Sequence, residues 1–330
     1  MQTHKQRIEN CLSGEKTDRT PIALWRHFPV DDQSPESLAA ATINFQNTYD
    51  FDLVKVTPAS SYCTKDWGLQ DQWNGNMEGT RDYNNPFVNK AEDWGKLNKL
   101  DPTKGALGMQ IKCLNILSKE YSSNTPLLQT IFSPLSQAKN LVGKPNLVRH
   151  IRKYPDQVKA ALKIIEDSII DYIQEIKKTG IDGIFYAVQH AQYDLLSEEE
   201  FIEFGKASDF RVLEAANDLW INMVHIHGEN IMFEQMVDYP VPILNWHDRS
   251  TYPTLSEARE KYDGVLCGGL QRWDTMVRGT PEQVKNEALD AIQSTNGRNF
   301  ILGTGCVMPI ISSHGNIMAS IEAANGEYIE

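Results

Sequence analysis

Residues 156–189, DQVKAALKIIEDSIIDYIQEIKKTGIDGIFYAVQ, hold two different periodicities end to end. In the first part Val158, Ala161, Leu162, Ile165, Ile169, Tyr172, Ile173 and Ile176 recur three and four residues apart, the spacing of one face of an α-helix. Gly180 then supplies a helix stop. From Gly183 the run GIFYAVQ is apolar and too short for another helix, so it reads as a buried strand. The stretch is therefore one helix feeding one strand.

The same unit recurs in both directions. Short apolar or β-branched runs at 21–28 (PIALWRHF), 52–58 (DLVKVTP), 126–134 (PLLQTIFSP), 222–228 (NMVHIHG), 241–248 (VPILNWHD), 264–271 (GVLCGGLQ) and 299–306 (NFILGTGC) alternate with longer segments of helical spacing. Helix starts are marked by Ser34 before Pro35, Ser197 with Glu200, Thr254 with Glu257, and Thr280 before Pro281 with Gln283, because each side-chain oxygen can accept an otherwise unpaired amide of the first turn. Eight strands separated by helices imply parallel pairing and right-handed crossovers. The expected fold is α/β, a single (β/α)8 TIM barrel over residues 1–330, with an open doubly wound sheet second. No GxGxxG follows the first strand, which counts against the open sheet. Residues 59–104 interrupt the rhythm with Trp67, Trp73 and Trp94 among Gly, Asn and Asp. An excursion of this length after the second strand is expected to be a lid insertion, with 60–100 over the barrel mouth and Trp67 or Trp73 near the substrate.

Composition narrows the class. The 330 residues are 41% hydrophobic and 23% charged, with a net charge of −12 and no block of lysine and arginine that could track a phosphate backbone. Nucleic acid is excluded as a partner on that ground. No apolar run approaches the about 18 residues of a membrane span, and MQTHKQRIEN lacks a signal core, so a cytoplasmic protein is expected. Five cysteines, odd in number and irregularly spaced, read as reduced thiols. A homo-oligomer stays open.

In such a barrel chemistry sits at the C-terminal ends of the strands. That rule selects Arg26, His27, Gln189, His190, Tyr193, Asp194, His225, His227, Glu229, Asn245, Trp246, His247, Asp248, Gln271, Arg272 and Cys306. His225 and His227 are the sharpest pair, since alternate strand residues share a face and two imidazoles two apart can converge on one cation. Cys306, closing the last strand in GTGC, could add a thiolate, and two nitrogens with one sulfur and an open position would make a catalytic zinc site. The alternatives are a hydrogen-bonded core histidine beside a loop histidine, and a small buried cysteine. His247 with Asp248 offers a proton carrier beside a carboxylate, or an Asp248 and Arg249 ion pair that stiffens a loop. Arg26 could hold a substrate carboxylate or phosphonate, or cap the rim. Tyr193 is a candidate substrate contact, or part of a polar loop.

The segments RTPIALWRH, TGIDGIFYAVQHAQYDLLSEEEF, MVHIHGENIMFEQMVDYPVPILNWHDR, GGLQRWDTMVRGTPEQVKNEA and FILGTGCVMP, in this order and spacing, resemble the uroporphyrinogen decarboxylase superfamily, on its cobalamin-dependent methyltransferase side. True decarboxylases of that superfamily carry a Phe-Ser-Asp after the second strand and an arginine-rich segment after the first. Here the corresponding stretches are VKVTPASS and LWRHFPVDD, which keep only Arg26. The methylcobalamin:coenzyme M methyltransferases of the superfamily bind zinc through His-x-Cys on the fifth strand and a Cys after the eighth. Those positions are similar to His225, His227 and Cys306, with one thiolate replaced by imidazole, which leaves the metal one charge more positive.

The resemblance implies a zinc-dependent methyltransferase that moves a methyl group between a corrinoid and a small-molecule acceptor bound at zinc. The chain has no Asp-x-His-x-x-Gly corrinoid motif, so the corrinoid (methylcobalamin in type) is expected in trans on a partner protein. Arg26, Tyr193, His247 and Asp248 would be catalytic, and Glu229 or a side chain of the sixth strand would complete the zinc site. A decarboxylase or lyase of a small or tetrapyrrole acid, with Arg26 holding a carboxylate, is the second enzyme reading. A non-catalytic tetrapyrrole- or corrinoid-binding barrel is the third.

Overall fold

The computed structural model describes residues 1–121 and 123–326. Along the chain β1 (Val54–Val56) is followed by β2 (Gln70–Gln72) and β3 (Asp82–Asn84), then by β4 (Leu127–Phe132), β5 (Gly183–Val188) and β6 (Met223–Ile226). The remaining strands are β7 (Ile243–Trp246), β8 (Val265–Leu270) and β9 (Phe300–Thr304). β2 and β3 make an antiparallel pair of their own, and the other seven form one parallel sheet in the order β1, β4, β5, β6, β7, β8, β9. The order never reverses, whereas a doubly wound sheet must reverse at its switch point. The result is a curled parallel sheet of TIM-barrel type with helices outside.

Side chains confirm the curl, because alternate residues of a strand fall into two separate cores. Ile184, Tyr186 and Val188 of β5 pack outward among the helices. Phe185 and Ala187 pack inward with Leu128, Met223, Ile243, Val265, Cys267 and Ile301, and with Ile8 and Cys11 of α1 (His4–Ser13). The quoted helix spans Pro155–Lys177, and its full apolar stripe is buried. Ile165, Ile173 and Ile176 are completely covered, which stabilises the fold by about 2 kcal/mol each. The caps form as read: the side chains of Ser34, Ser197, Thr254 and Thr280 accept from the amides of Ser37, Glu200, Glu257 and Gln283.

The first expected strand, 21–28, departs from expectation. It makes one parallel bridge, Ile22 with Leu302, and hydrogen bonds at its start join both edges of the sheet. The Ala23 amide donates to the Leu302 carbonyl, the Leu302 amide to Pro21, and the Asp52 amide to Ile22. Elsewhere its backbone is taken by other partners, for the Ile22 amide donates to the Asp52 side chain and the Trp25 carbonyl accepts from Met308 in the loop after β9. A ladder cannot propagate when its groups are diverted in this way.

Residues 59–104 contain the β2/β3 pair. Its turn reaches the C-terminal ends of the large sheet, where the Ile310 amide donates to Met77 and Glu78 accepts from Arg272 (2.5 Å) and the Trp273 indole (3.2 Å). Gly79 has a φ of +80°, and a Cβ there would lie 2.4 Å from that of His27. Arg81 ties the segment to Asp32 (2.7 Å) and to the Pro29 carbonyl (2.5 Å). Among the described residues no helix is long and apolar enough to cross a membrane.

Candidate metal centre

The ends of three strands, β6, β7 and β9, build one cluster. His225 lies in β6, opposite Asn245 of β7 in register, and inward alternation places Met223, His225 and His227 on one side. Directly after His227 the chain turns away at Gly228, with φ of +114°, where any Cβ would strike the Gln192 side chain. His247 follows β7. Beyond β9, Gly305 lies so close that a Cβ would meet the Trp246 carbonyl at 2.5 Å, and this approach carries Cys306 to the same place. One donor atom from each of His225, His227, His247 and Cys306 lies within 4.8 Å of the others.

The protonation pattern follows from hydrogen bonds. Both N–H groups of the Asn245 amide are used, one on the Cys267 carbonyl (2.8 Å) and one on that of Thr304 (3.1 Å). Its Oδ1 must therefore accept, and His225 Nδ1 at 2.7 Å donates to it. The lone pair of His225 is left on Nε2, which is buried with no partner, as is Nε2 of His247. Buried polar atoms rarely stay unsatisfied, so these nitrogens call for a ligand.

Cys306 completes the set. Burial by itself raises its thiol, but the interactions with His225, and then with His227 and His247, outweigh it and hold the thiol well below the usual range. Burial pushes His225 down, against the pull of Cys306. Neutral imidazoles and a thiolate are the forms that bind metal. Cys306 Sγ lies 3.7 Å from His227 Nδ1, close to the about 3.6 Å edge of a tetrahedron with Zn–S near 2.3 Å and Zn–N near 2.05 Å. Three nitrogens and one sulfur converging within 4.8 Å make a possible metal site, and the donor set is of a kind that zinc accepts.

Comparison with known proteins accords with this architecture. The profile of the uroporphyrinogen decarboxylase (URO-D) family matches residues 3–326. The chain belongs to the uroporphyrinogen decarboxylase family. Within reach of this URO-D chain are methylcobamide:CoM methyltransferase MtbA of Methanosarcina mazei, 23% identical over 72% of this chain and 69% of its own length, and the methylated-thiol–coenzyme M methyltransferase of the same organism, 24% identical over 72% and 63%. A solved methyltransferase from Methanosarcina mazei superposes with a TM-score of 0.86 at 18% identity, covering 98% of this chain and 99% of that one. A B12-independent methionine synthase from Shewanella sp. W3-18-1 follows at a TM-score of 0.57 and 14% identity, over 93% and 92%. At these identities the two structures speak for the fold.

The URO-D chain sends the other expected catalytic residues elsewhere. Arg26 points away from the cluster into a groove of about 500 Å³ against α2 (Pro35–Tyr49), its guanidinium over the rings of Phe28 and Phe45 and donating to the Ile310 carbonyl. Tyr193 is 44% exposed and donates to Glu198, because it sits on the loop after β5 and not on the strand. Asp248 accepts the Gly269 amide, and burial raises it to about 7. With Arg249, which donates to the Gly269 and Glu287 carbonyls, it fastens the ends of β7 and β8. Glu229 is exposed. Trp67 is buried in the outer layer with Tyr62 and Tyr172, and Trp73 is partly exposed, donating to the Asn76 carbonyl.

One residue escaped the reading of strand ends. Lys55, at the centre of β1, is 7% exposed and points inward, its ammonium 4.5 Å from the centre of the Phe185 ring on which His225 also stacks. Burial lowers it to about 7, opposed by the charge of Cys306. The signal was a lysine inside the apolar run LVKV.

Proposed function

We propose that this protein is a zinc-dependent methyltransferase that moves a methyl group between a corrinoid on a separate protein and a small acceptor held at the metal. Four converging donors, with the lone pair of His225 Nε2 fixed by Asn245 and left without a protein partner, carry the reading. His225, His227 and Cys306 would hold the ion, and His247, at the start of the loop after β7, would be the fourth donor at rest and give up that position to the acceptor. Zinc bound there lowers the pKa of a thiol or hydroxyl placed on it and keeps the acceptor anionic at neutral pH. Asn245 orients the β6 imidazole, and the Cys306 thiolate tempers the charge. The relatives named for methylcobamide and CoM support a corrinoid donor and a thiol acceptor here.

In this reading residues 21–23 act as the eighth stave that closes the barrel, the whole chain is one domain, and 59–104 is its lid. Arg26, over Phe28 and Phe45 beside α2, favours this reading over a decarboxylase that would use it as the carboxylate anchor. The test mixes purified, zinc-loaded protein with methylcobalamin and candidate thiols and follows the cobalt spectrum. Demethylation that needs zinc and disappears in Cys306→Ala is expected. Carbon dioxide release from uroporphyrinogen, with no corrinoid reaction, would overturn the proposal.

A further inference from the structure

The ribbon of β2 and β3 is fastened to the barrel at two places of different kind. At its base Arg81 pairs with Asp32 (2.7 Å) and Asp71 (3.2 Å), the side chains of all three almost fully covered, and Asp71 also accepts the Ser61 hydroxyl. The tip is shaped from within. The Asn76 side chain accepts the Glu78 amide (2.8 Å), and the Asn76 carbonyl accepts the Trp73 indole (3.1 Å) and the Gly79 amide (2.9 Å). This turn then meets the barrel through the Met77 carbonyl, which accepts the Ile310 amide, and through Glu78, which accepts from Arg272 and Trp273. The side chains of Arg272 and Glu78 stay 13% and 26% exposed. A partly wet pair separates at low cost, because water can take over both charges, whereas parting the buried base would strand its charges.

The tip rests on the supports of the metal cluster. Arg272 also donates to the carbonyl of Val307 (3.2 Å), next in the chain to Cys306, and it lines a small cavity together with His247 and Gly305. Ile310 belongs to the same loop after β9, and the backbone of Gly79 packs directly on His27. Cys306 is accordingly only 7% exposed. Transfer of a methyl group needs reacting atoms about 3–3.5 Å apart, an approach that a strap fixed on the rim denies to a broad, flat donor. We propose that Glu78, Arg272 and the Trp273 indole form a latch that holds the β2/β3 tip down over the Cys306 side of the barrel mouth, and that its release, with the base still pinned at Arg81, admits a reactant too broad to pass the closed tip. The identity of that reactant as a corrinoid rests on the methyltransferase reading; the latch itself does not.

Cys306 reports the opening, since Cys11, Cys63, Cys113 and Cys267 are buried in the packed layers. Full-length protein freed of metal by a chelator is treated with N-(1-pyrenyl)maleimide, a broad reagent, or with iodoacetamide, a small one, and the label is located by peptide mass spectrometry. Glu78→Ala is expected to label at Cys306 with the pyrene reagent about tenfold faster than wild type, the factor that one charge-assisted hydrogen bond contributes. Glu78→Gln, which keeps an acceptor without the charge, should show a smaller rise, and iodoacetamide should gain less than the pyrene reagent in both variants. Arg278→Gln, which breaks an exposed pair with Asp274 in the same loop, should leave both rates unchanged. Equal pyrene labelling in wild type and both Glu78 variants, an equal rise in Arg278→Gln, or a rise spread over all five cysteines overturns the latch. Labelling that depends on Glu78 in a protein that never demethylates methylcobalamin supports the latch and contradicts the methyltransferase reading; demethylation with labelling indifferent to Glu78 does the reverse.

Discussion

The two ends of the barrel treat buried charge in opposite ways. At the N-terminal floor, just before β1, Asp52 is completely buried and accepts from His4 Nδ1 (2.9 Å), Arg7 (2.6 Å), Arg19 (2.6 and 3.0 Å) and the Ile22 amide (2.8 Å). Arg7 spends its remaining donors on Asp18 and the Gln2 carbonyl. At the C-terminal mouth, His225 and His247 keep an unpartnered ring nitrogen. A closed network holds structure, and an open one holds room for something else. The polarity agrees with the barrel rule that stability sits below and chemistry above.

The contrast fixes what substitution should do at each end. Asp52→Ala should have the largest effect on folding, a loss of about 3–5 kcal/mol in urea denaturation, because it leaves buried cations uncompensated; a loss below 1 kcal/mol would mean the floor is not a closed network. Asn245→Ala, at the mouth, should leave the fold in place and weaken zinc binding about 10- to 100-fold in chelator competition, since His225 loses the partner that orients it. Unchanged zinc affinity would remove the basis for assigning the lone pair to Nε2.

A smaller, pH-dependent effect belongs to the floor. The hydrogen bond to Asp52, with the charges of Asp52 and Asp50, raises His4 above its ordinary 6.5 despite burial. A raised folded value means its stabilisation is complete below pH 6.5 and is lost as pH rises through the higher folded value. The melting temperature of wild type minus that of His4→Gln should fall over that interval, and a pH-independent difference would count against the pairing. Smallest of all, Tyr193→Phe should change stability by no more than about 0.5 kcal/mol and leave zinc content untouched, as an exposed loop side chain should; lost zinc would return Tyr193 to the site.

Much of the fold was legible because burial writes a period into the chain. The stripe from Val158 to Ile176, the four caps and seven strand segments needed only local rules, and His225, His227 and Cys306 were findable as strand-end residues of metal-binding type. The strand at 21–28 was over-read because its apolar run resembles a ladder member, while the diversion of its backbone to Asp52 and Met308 is a tertiary fact. Arg26 was assigned to the mouth because neither its neighbours nor its charge shows which way it faces; the structure turns it outward onto Phe28 and Phe45. Asp248 accepts the Gly269 amide at the strand ends and Trp67 lies in the outer layer, contacts that no local pattern announces. Lys55 was overlooked for the converse reason, since a mid-strand lysine lies outside any rule restricted to strand ends.

The central claim, a zinc ion held by three imidazoles and one thiolate, is tested most directly by X-ray absorption at the zinc edge on protein loaded with one equivalent of metal. Nitrogen neighbours near 2.0–2.1 Å and a single sulfur near 2.3 Å are predicted, the sulfur disappearing in Cys306→Ser and becoming two when a thiol acceptor is added. A spectrum with no sulfur, or one that Cys306→Ser leaves unchanged, would contradict the account.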